Sequence, residues 1–155
     1  MSIPEMSFDE YLIAQGLIFR AEMSFAGIAA ADFAYSGITT GADELVILQR
    51  AYSSSEAALT VELFEATFTG GTDPRLLNRR LSNTSAKPAT IKQGVTPGAL
   101  GNAITGATYR AVVGTGQASV AVPGDASRIY LKANTSYVVR HTNNGANAAT
   151  INNGF

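Results

Sequence analysis

From Leu17 to Phe25 the chain reads LIFRAEMSF: Leu17, Phe19, Ala21, Met23 and Phe25 are apolar, and the intervening Arg20, Glu22 and Ser24 are polar. A period of two sends alternate side chains to opposite faces of an extended chain, so this stretch predicts a strand with one face buried. Such a strand cannot stand alone. It needs strands to pair with and a second layer over its apolar face. Further short runs follow in DFAYS (32–36), ELVILQR (44–50), LTVELFEA (59–66), TYRAVV (108–113), QASVAV (117–122), RIYLKA (128–133), SYVVRHT (136–142) and ATINNGF (149–155). About eight to ten short strands, divided by Gly, Asn, Ser and Thr, predict an all-β sandwich or barrel.

One segment departs from this period. In SFDEYLIAQG (7–16), Ser7 and Glu10 have capping-box spacing, Phe8, Tyr11 and Leu12 share one helical face, and Gly16 suits a helix end. The expected division is therefore a short N-terminal helical arm, 1–16, and a single β-sandwich domain, 17–155. A chain of 155 residues has room for one such domain and buries roughly 68–70% of its unfolded surface, so its core needs no metal or disulfide. Gly114-Thr115-Gly116 sits between alternating runs and predicts a tight hairpin, and Asn134-Thr135 predicts a short turn between two further runs. The run at 149–155 ends the chain almost before a strand is complete. The intervals 67–88 and 93–107 are too long and polar for hairpin loops, and loops of that length are usually either functional or disordered.

Few residues point to chemistry. There is no cysteine, hence no thiolate nucleophile and no cysteine-based zinc site. The single histidine, His141, falls on the same strand face as Tyr137 and Val139, which predicts a structural or surface role. Glu62 and Glu65 are expected on opposite faces of a strand, which does not suit a glycosidase pair. Asp73 and Asp125 are lone loop acids without calcium-loop spacing. The expectation is a protein that is not an enzyme and that needs no cofactor or metal. A net charge of −1 argues against wrapping nucleic acid. No apolar run has the roughly 18–20 residues that span a bilayer, and the first ten residues lack the basic and apolar regions of a signal peptide.

The remaining signal is a basic cluster, Arg75, Arg79 and Arg80, with Leu76, Leu77 and Leu81 around it. No aromatic residue is interleaved, so base stacking is not expected. Guanidinium groups pair bidentately with carboxylates and leucines supply apolar anchors, so the alternative to a solvated loop is a surface that docks on an acidic protein partner.

The order AQGLIFRAEMSF, LTVELFEAT, FTGGTDPRLLNRRLSNTS and IYLKANTSYVVRHTNNGANAATI resembles small virion proteins of tailed bacteriophages, the capsid decoration or cement type. Leu131–Tyr137 (LKANTSY) and Thr142-Asn143 carry most of the likeness. The resemblance implies a jelly-roll-like antiparallel β-sandwich without enzymatic activity. It would be assembled in a bacterial host cytoplasm and carried on the capsid exterior, where it bridges major capsid protein subunits as a homodimer or homotrimer. On this reading the helix face Phe8, Tyr11 and Leu12 and the segment Arg75, Leu76, Leu77, Arg79, Arg80 and Leu81 make the contacts. The departure is the ending Asn-Asn-Gly-Phe, which leaves a last strand for a neighbouring subunit to complete or a shorter chain. Rival expectations are a carbohydrate- or host-surface-binding module, with Tyr52, Tyr109 and Tyr130 as candidate platforms, and a head–tail or tail component.

Overall fold

The alternation that begins at Leu17 folds as β1 (Phe19–Ile28), with Ala21, Met23 and Phe25 buried and Arg20 and Ser24 exposed. A computed structural model describes residues 18–47, 50–55, 58–78, 89–105, 107–112, 118–122 and 128–154. The expected helix over 7–16, with Phe8, Tyr11 and Leu12, lies outside them. After β1 come β2 (Phe33–Thr40), β3 (Leu45–Ile47), β4 (Arg50–Ser54), β5 (Ala58–Glu65), β6 (Phe68–Thr72), β7 (Arg75–Asn78) and β8 (Ala89–Pro97). Then follow β9 (Tyr109–Val112), β10 (Ala118–Val122), β11 (Ile129–Leu131), β12 (Ser136–Asn143) and β13 (Ala149–Gly154).

Among the described residues all pairings are antiparallel, and none joins strands that follow one another in the chain. The first half instead pairs with the second in nested order: β1 with β13, β2 with β12, β3 with β11, β4 with β10 and β5 with β9. A long nested hairpin wrapped into two facing sheets is a jelly roll. The sheets run β10-β4-β13-β1-β7 and β6-β8-β2-β12-β5-β9, with β3 and β11 as a separate pair. Without β6, β7 and β8, the two sheets keep four strands each. Those three strands form one insertion between β5 and β9, and they extend both sheets past β1 and β2.

Three expectations are corrected by this topology. The run before Gly114-Thr115-Gly116 is in one sheet and the run after it is in the other, so the connection crosses between sheets and is no hairpin. The short turn expected at Asn134-Thr135 is present, and it joins β11, paired with β3, to β12, paired with β2 and β5. The intervals 67–88 and 93–107 are not simply loops, since β6, β7 and most of β8 lie in them. Nor is the last strand incomplete: β13 lies between β1 and β4 and pairs with both.

The core lies between the sheets. Met23, Phe25, Tyr52 and Ile151 from one sheet meet Ile38, Leu59, Val61, Leu63, Tyr137 and Val139 from the other, and Ile47 and Leu131 of the small pair join them. The turn into β12 is fixed by polar contacts. Asn134 takes a positive φ of 50°, which Asn tolerates better than most residues. The Lys132 amide donates to the Tyr137 hydroxyl (2.9 Å), and the Thr135 amide donates to Thr40 Oγ1 (2.9 Å). At the far end of β12 the wholly buried Asn143 donates to the carbonyls of Ile28 (2.9 Å) and Asn147 (2.8 Å) and accepts from the Gly145 amide (2.9 Å).

Candidate functional site

Of the residues proposed as contacts, Arg75, Leu76 and Leu77 are described; Arg79, Arg80 and Leu81, like the helix face, are not. The three described residues belong to β7, which hydrogen-bonds to β1 with Ala21 opposite Leu76 and Arg20 opposite Leu77. Arg75 starts this outermost strand just after Pro74. Its side chain is 70% exposed, and its Nη1 lies 4.0 Å from Glu22 Oε2. Leu76 is not the freely exposed anchor expected from the sequence. It is half-buried and lines a cleft of about 270 Å³ with Thr40, Pro74, Ala89 and Ile91. Pairing to β1 turns it toward that cleft.

A larger cleft of about 590 Å³ is formed by β1, β4 and β13, the Asp73-Pro74 crossing and Gln93 of β8. Its charged groups are already engaged: Arg20 Nε is 3.1 Å from Glu22 Oε1, and Lys92 Nζ is 3.1 Å from Asp73 Oδ1. Between them lie the hydroxyls of Ser24 and Ser53 and the amide of Asn152, which donates to Ser53 Oγ (3.3 Å), whereas the Asn153 side chain turns inward to His141. Tyr52 also lines this cleft but is only 3% exposed, so its ring is not the open platform that stacking on a sugar would need. Tyr130, at 67% exposure, is open.

His141 is wholly buried between the sheets. Its Nε2 lies 3.2 Å from Ser36 Oγ of β2 and 3.3 Å from Asn153 Nδ2 of β13, and its ring centroid is 5.1 Å from that of Phe25. Burial lowers its pKa from 6.5 to about 3, because the charged ring would lose its water. The face assignment from alternation holds, and of the structural or surface positions expected the ring takes the buried one. Among the described residues its Nδ1 and the Oδ1 of Asn153 have no hydrogen-bond partner.

The outward face of the six-stranded sheet carries a cluster that the sequence reading missed. Arg140 donates from Nη2 (2.6 Å) and Nε (3.0 Å) to Glu62 Oε2, and its guanidinium lies 5.3 Å from the Phe33 ring centroid and 5.0 Å from that of Phe64. Val138 and Phe64 sit opposite one another on this face, both buried. The signal was present: Phe64 is out of phase with Leu59, Val61 and Leu63, so β5 is apolar on both faces at that end. Glu65, on the opposite face of β5 from Glu62 as alternation predicts, ion-pairs with Lys132 (2.7 Å).

The fold and these surfaces define a jelly-roll sandwich with an extended edge, and the fold alone is compatible with many functions. No protein-family model matches the chain, and no curated protein matches it.

Proposed function

We propose that the chain is a non-enzymatic virion structural protein that decorates and stabilises the outside of a phage head by bridging major capsid protein subunits. The observation that carries this reading is the insertion β6–β8, which extends both sheets at one edge and displays Arg75 there. A rigid sandwich with a displayed, charged edge is suited to bridging. Each copy contributes a modest contact, and attachment across two subunits multiplies the effect by avidity. The likeness of LKANTSY and Thr142-Asn143 to decoration proteins supports the same reading, on residues that hold the sandwich together.

The test is co-sedimentation of the purified protein with expanded phage heads over a salt series. Binding that weakens as salt rises is the expected result, since exposed guanidinium contacts are screened. An Arg75→Glu variant should bind several-fold more weakly while remaining folded, as expected for loss of about 1 kcal/mol at a rim charge. Absence of binding at any salt would refute the proposal and favour a host-surface-binding module.

A further inference from the structure

We propose that Asn144 is a site of spontaneous deamidation, open to solvent and restrained by Thr60 and Asn143. Asn-Gly is the dipeptide most prone to this reaction, because glycine has no side chain to keep its backbone nitrogen away from the preceding carboxamide. It occurs twice in the chain, at Asn144-Gly145 and Asn153-Gly154, and the fold treats the two differently. Asn144 is exposed in the bend between β12 and β13. Asn153 is only 3% exposed, its amide turns inward to His141, and Gly154 is paired on both sides, with Glu22 of β1 and Ala51 of β4. There the ladder holds the backbone extended and water is excluded.

The reaction needs only water and its hydroxide. The Gly145 nitrogen loses its proton to hydroxide and attacks Asn144 Cγ. As the N–Cγ bond forms, the Cγ–Nδ2 bond breaks, and the amide nitrogen takes a proton from solvent and leaves as ammonia. Water then opens the resulting succinimide at either carbonyl, giving aspartate or isoaspartate. Two hydrogen bonds slow the first step in the native protein. Asn144 Nδ2 donates to Thr60 Oγ1 (2.7 Å), which holds the carboxamide against β5, and the Gly145 amide donates to Asn143 Oδ1 (2.9 Å), which keeps its proton engaged. The second bond also gives the reaction a consequence. Asn143 is wholly buried and ties the carbonyls of Ile28 and Asn147 to the end of β12. Succinimide formation removes the Gly145 N–H, and isoaspartate displaces it by an added backbone carbon, so a surface reaction leaves a buried acceptor short of its donor.

The site is independent of the head-binding proposal, and its test uses neither phage heads nor Arg75. The full chain is incubated in mildly alkaline buffer, native and in urea, and digested with trypsin. Cleavage after Arg140 releases His141–Phe155, which carries both dipeptides, and electron-transfer fragmentation locates aspartate and isoaspartate within it. In the native protein Asn144 should convert at least about tenfold faster than Asn153, since opening a central strand costs far more than opening a bend. In urea the two should convert at similar rates. Thr60→Val should speed conversion of Asn144 about fivefold, the worth of one hydrogen bond, and Thr60→Ser should keep the native rate. Asn153 in the same peptide reports whether a variant is folded, because it stays slow only in the intact sheet; Thr60→Ala replaces the valine variant if that one unfolds. Converted protein, separated by anion exchange, should melt at a lower temperature than its parent. An Asn144 that stays intact in the native protein while the urea-unfolded chain converts would overturn the proposal. So would equal native rates at the two sites, or a rate at Asn144 that loss of the Thr60 hydroxyl leaves unchanged.

Discussion

His141 gives the sharpest test of the core, because it is the only histidine in the chain and its titration can be followed alone. In the native state its pKa is lowered from 6.5 to about 3 by burial; in the unfolded chain it is near the ordinary value. Above about pH 6.5 the ring is neutral in both states, and its titration adds nothing to the pH dependence. Between about pH 6.5 and pH 3 the unfolded chain takes up a proton that the native protein does not. Stability should therefore fall with pH by about 1.4 kcal/mol per unit across that window, reaching roughly 4–5 kcal/mol at its lower end. Carboxylates titrate in the same range, so the measurement is a comparison with His141→Gln, which keeps a polar group near Ser36 and Asn153 but does not titrate. Urea unfolding followed by far-UV circular dichroism, in steps from about pH 7 to about pH 4, gives the two curves. The variant should be less stable near neutral pH by about 1–3 kcal/mol, and its stability should decline less steeply on acidification. Parallel curves would refute the reasoning. So would a native imidazole proton resonance that titrates near 6.5, which would place the ring in contact with water.

Two further substitutions examine the outward face of the six-stranded sheet. A Cβ at Gly37 would lie 2.6 Å from Cε1 and Cζ of Phe68, so Gly37→Ala should force the ring off the sheet and cost about 1–3 kcal/mol. The cost should largely vanish in a Phe68→Ala background, and an undiminished cost there would mean that the ring is not the obstacle. Arg140→Ala removes a partly buried ion pair and two aromatic contacts, and should lower stability by about 2–3 kcal/mol in urea unfolding. Arg140→Lys should recover less than half of this, because a lysine can neither fork onto Glu62 nor lie flat between Phe33 and Phe64.

The individual strands were legible in the sequence wherever one face is buried and the other is wet. β1 and the inward faces of β5 and β12 follow from alternation alone. Partners were not legible. Short turns such as Asn134-Thr135 look like hairpin turns locally, but in a nested hairpin each strand's partner lies far along the chain, and no local pattern encodes it. β6, with the sequence FTGGT, carries no apolar alternation; it becomes a strand because β8 presents a ladder to it. β8 itself contains Gly94 and ends at Pro97, which reads as loop. The candidate contacts were only partly legible. Arg75 is exposed as expected, whereas Leu76 faces a cleft because the register to β1 places it opposite Ala21. The residues that carry the family resemblance have clear structural work. Asn134 turns the chain, Tyr137 and Thr40 pin the turn, and Asn143 closes the other end of β12. The likeness therefore bears on the fold more directly than on the partner.

The extended edge constrains how the proposed head contact could form. Among the described residues, β6 and β7 each have a hydrogen-bonded neighbour on one side only, which is the geometry that invites strand addition from another chain. Both strands carry features that oppose it. In β6, Gly70 and Gly71 have positive φ angles of 68° and 85°, opposite Gly94 at 65°, so the edge is irregular and kinked. β7 is four residues long, follows a proline and begins with an exposed arginine. A continuous sheet running from one copy into another, or into a capsid subunit, is thus disfavoured on this side, and side chains are left to make the contact. The two modes differ in their response to salt. Backbone strand addition depends little on ionic strength, whereas a contact through Arg75 weakens as charges are screened. A head-binding isotherm that is flat in salt but abolished by a proline at Leu76 in a folded variant would therefore indicate strand addition despite these features. Steep salt dependence together with the Arg75→Glu loss would assign the contact to side chains.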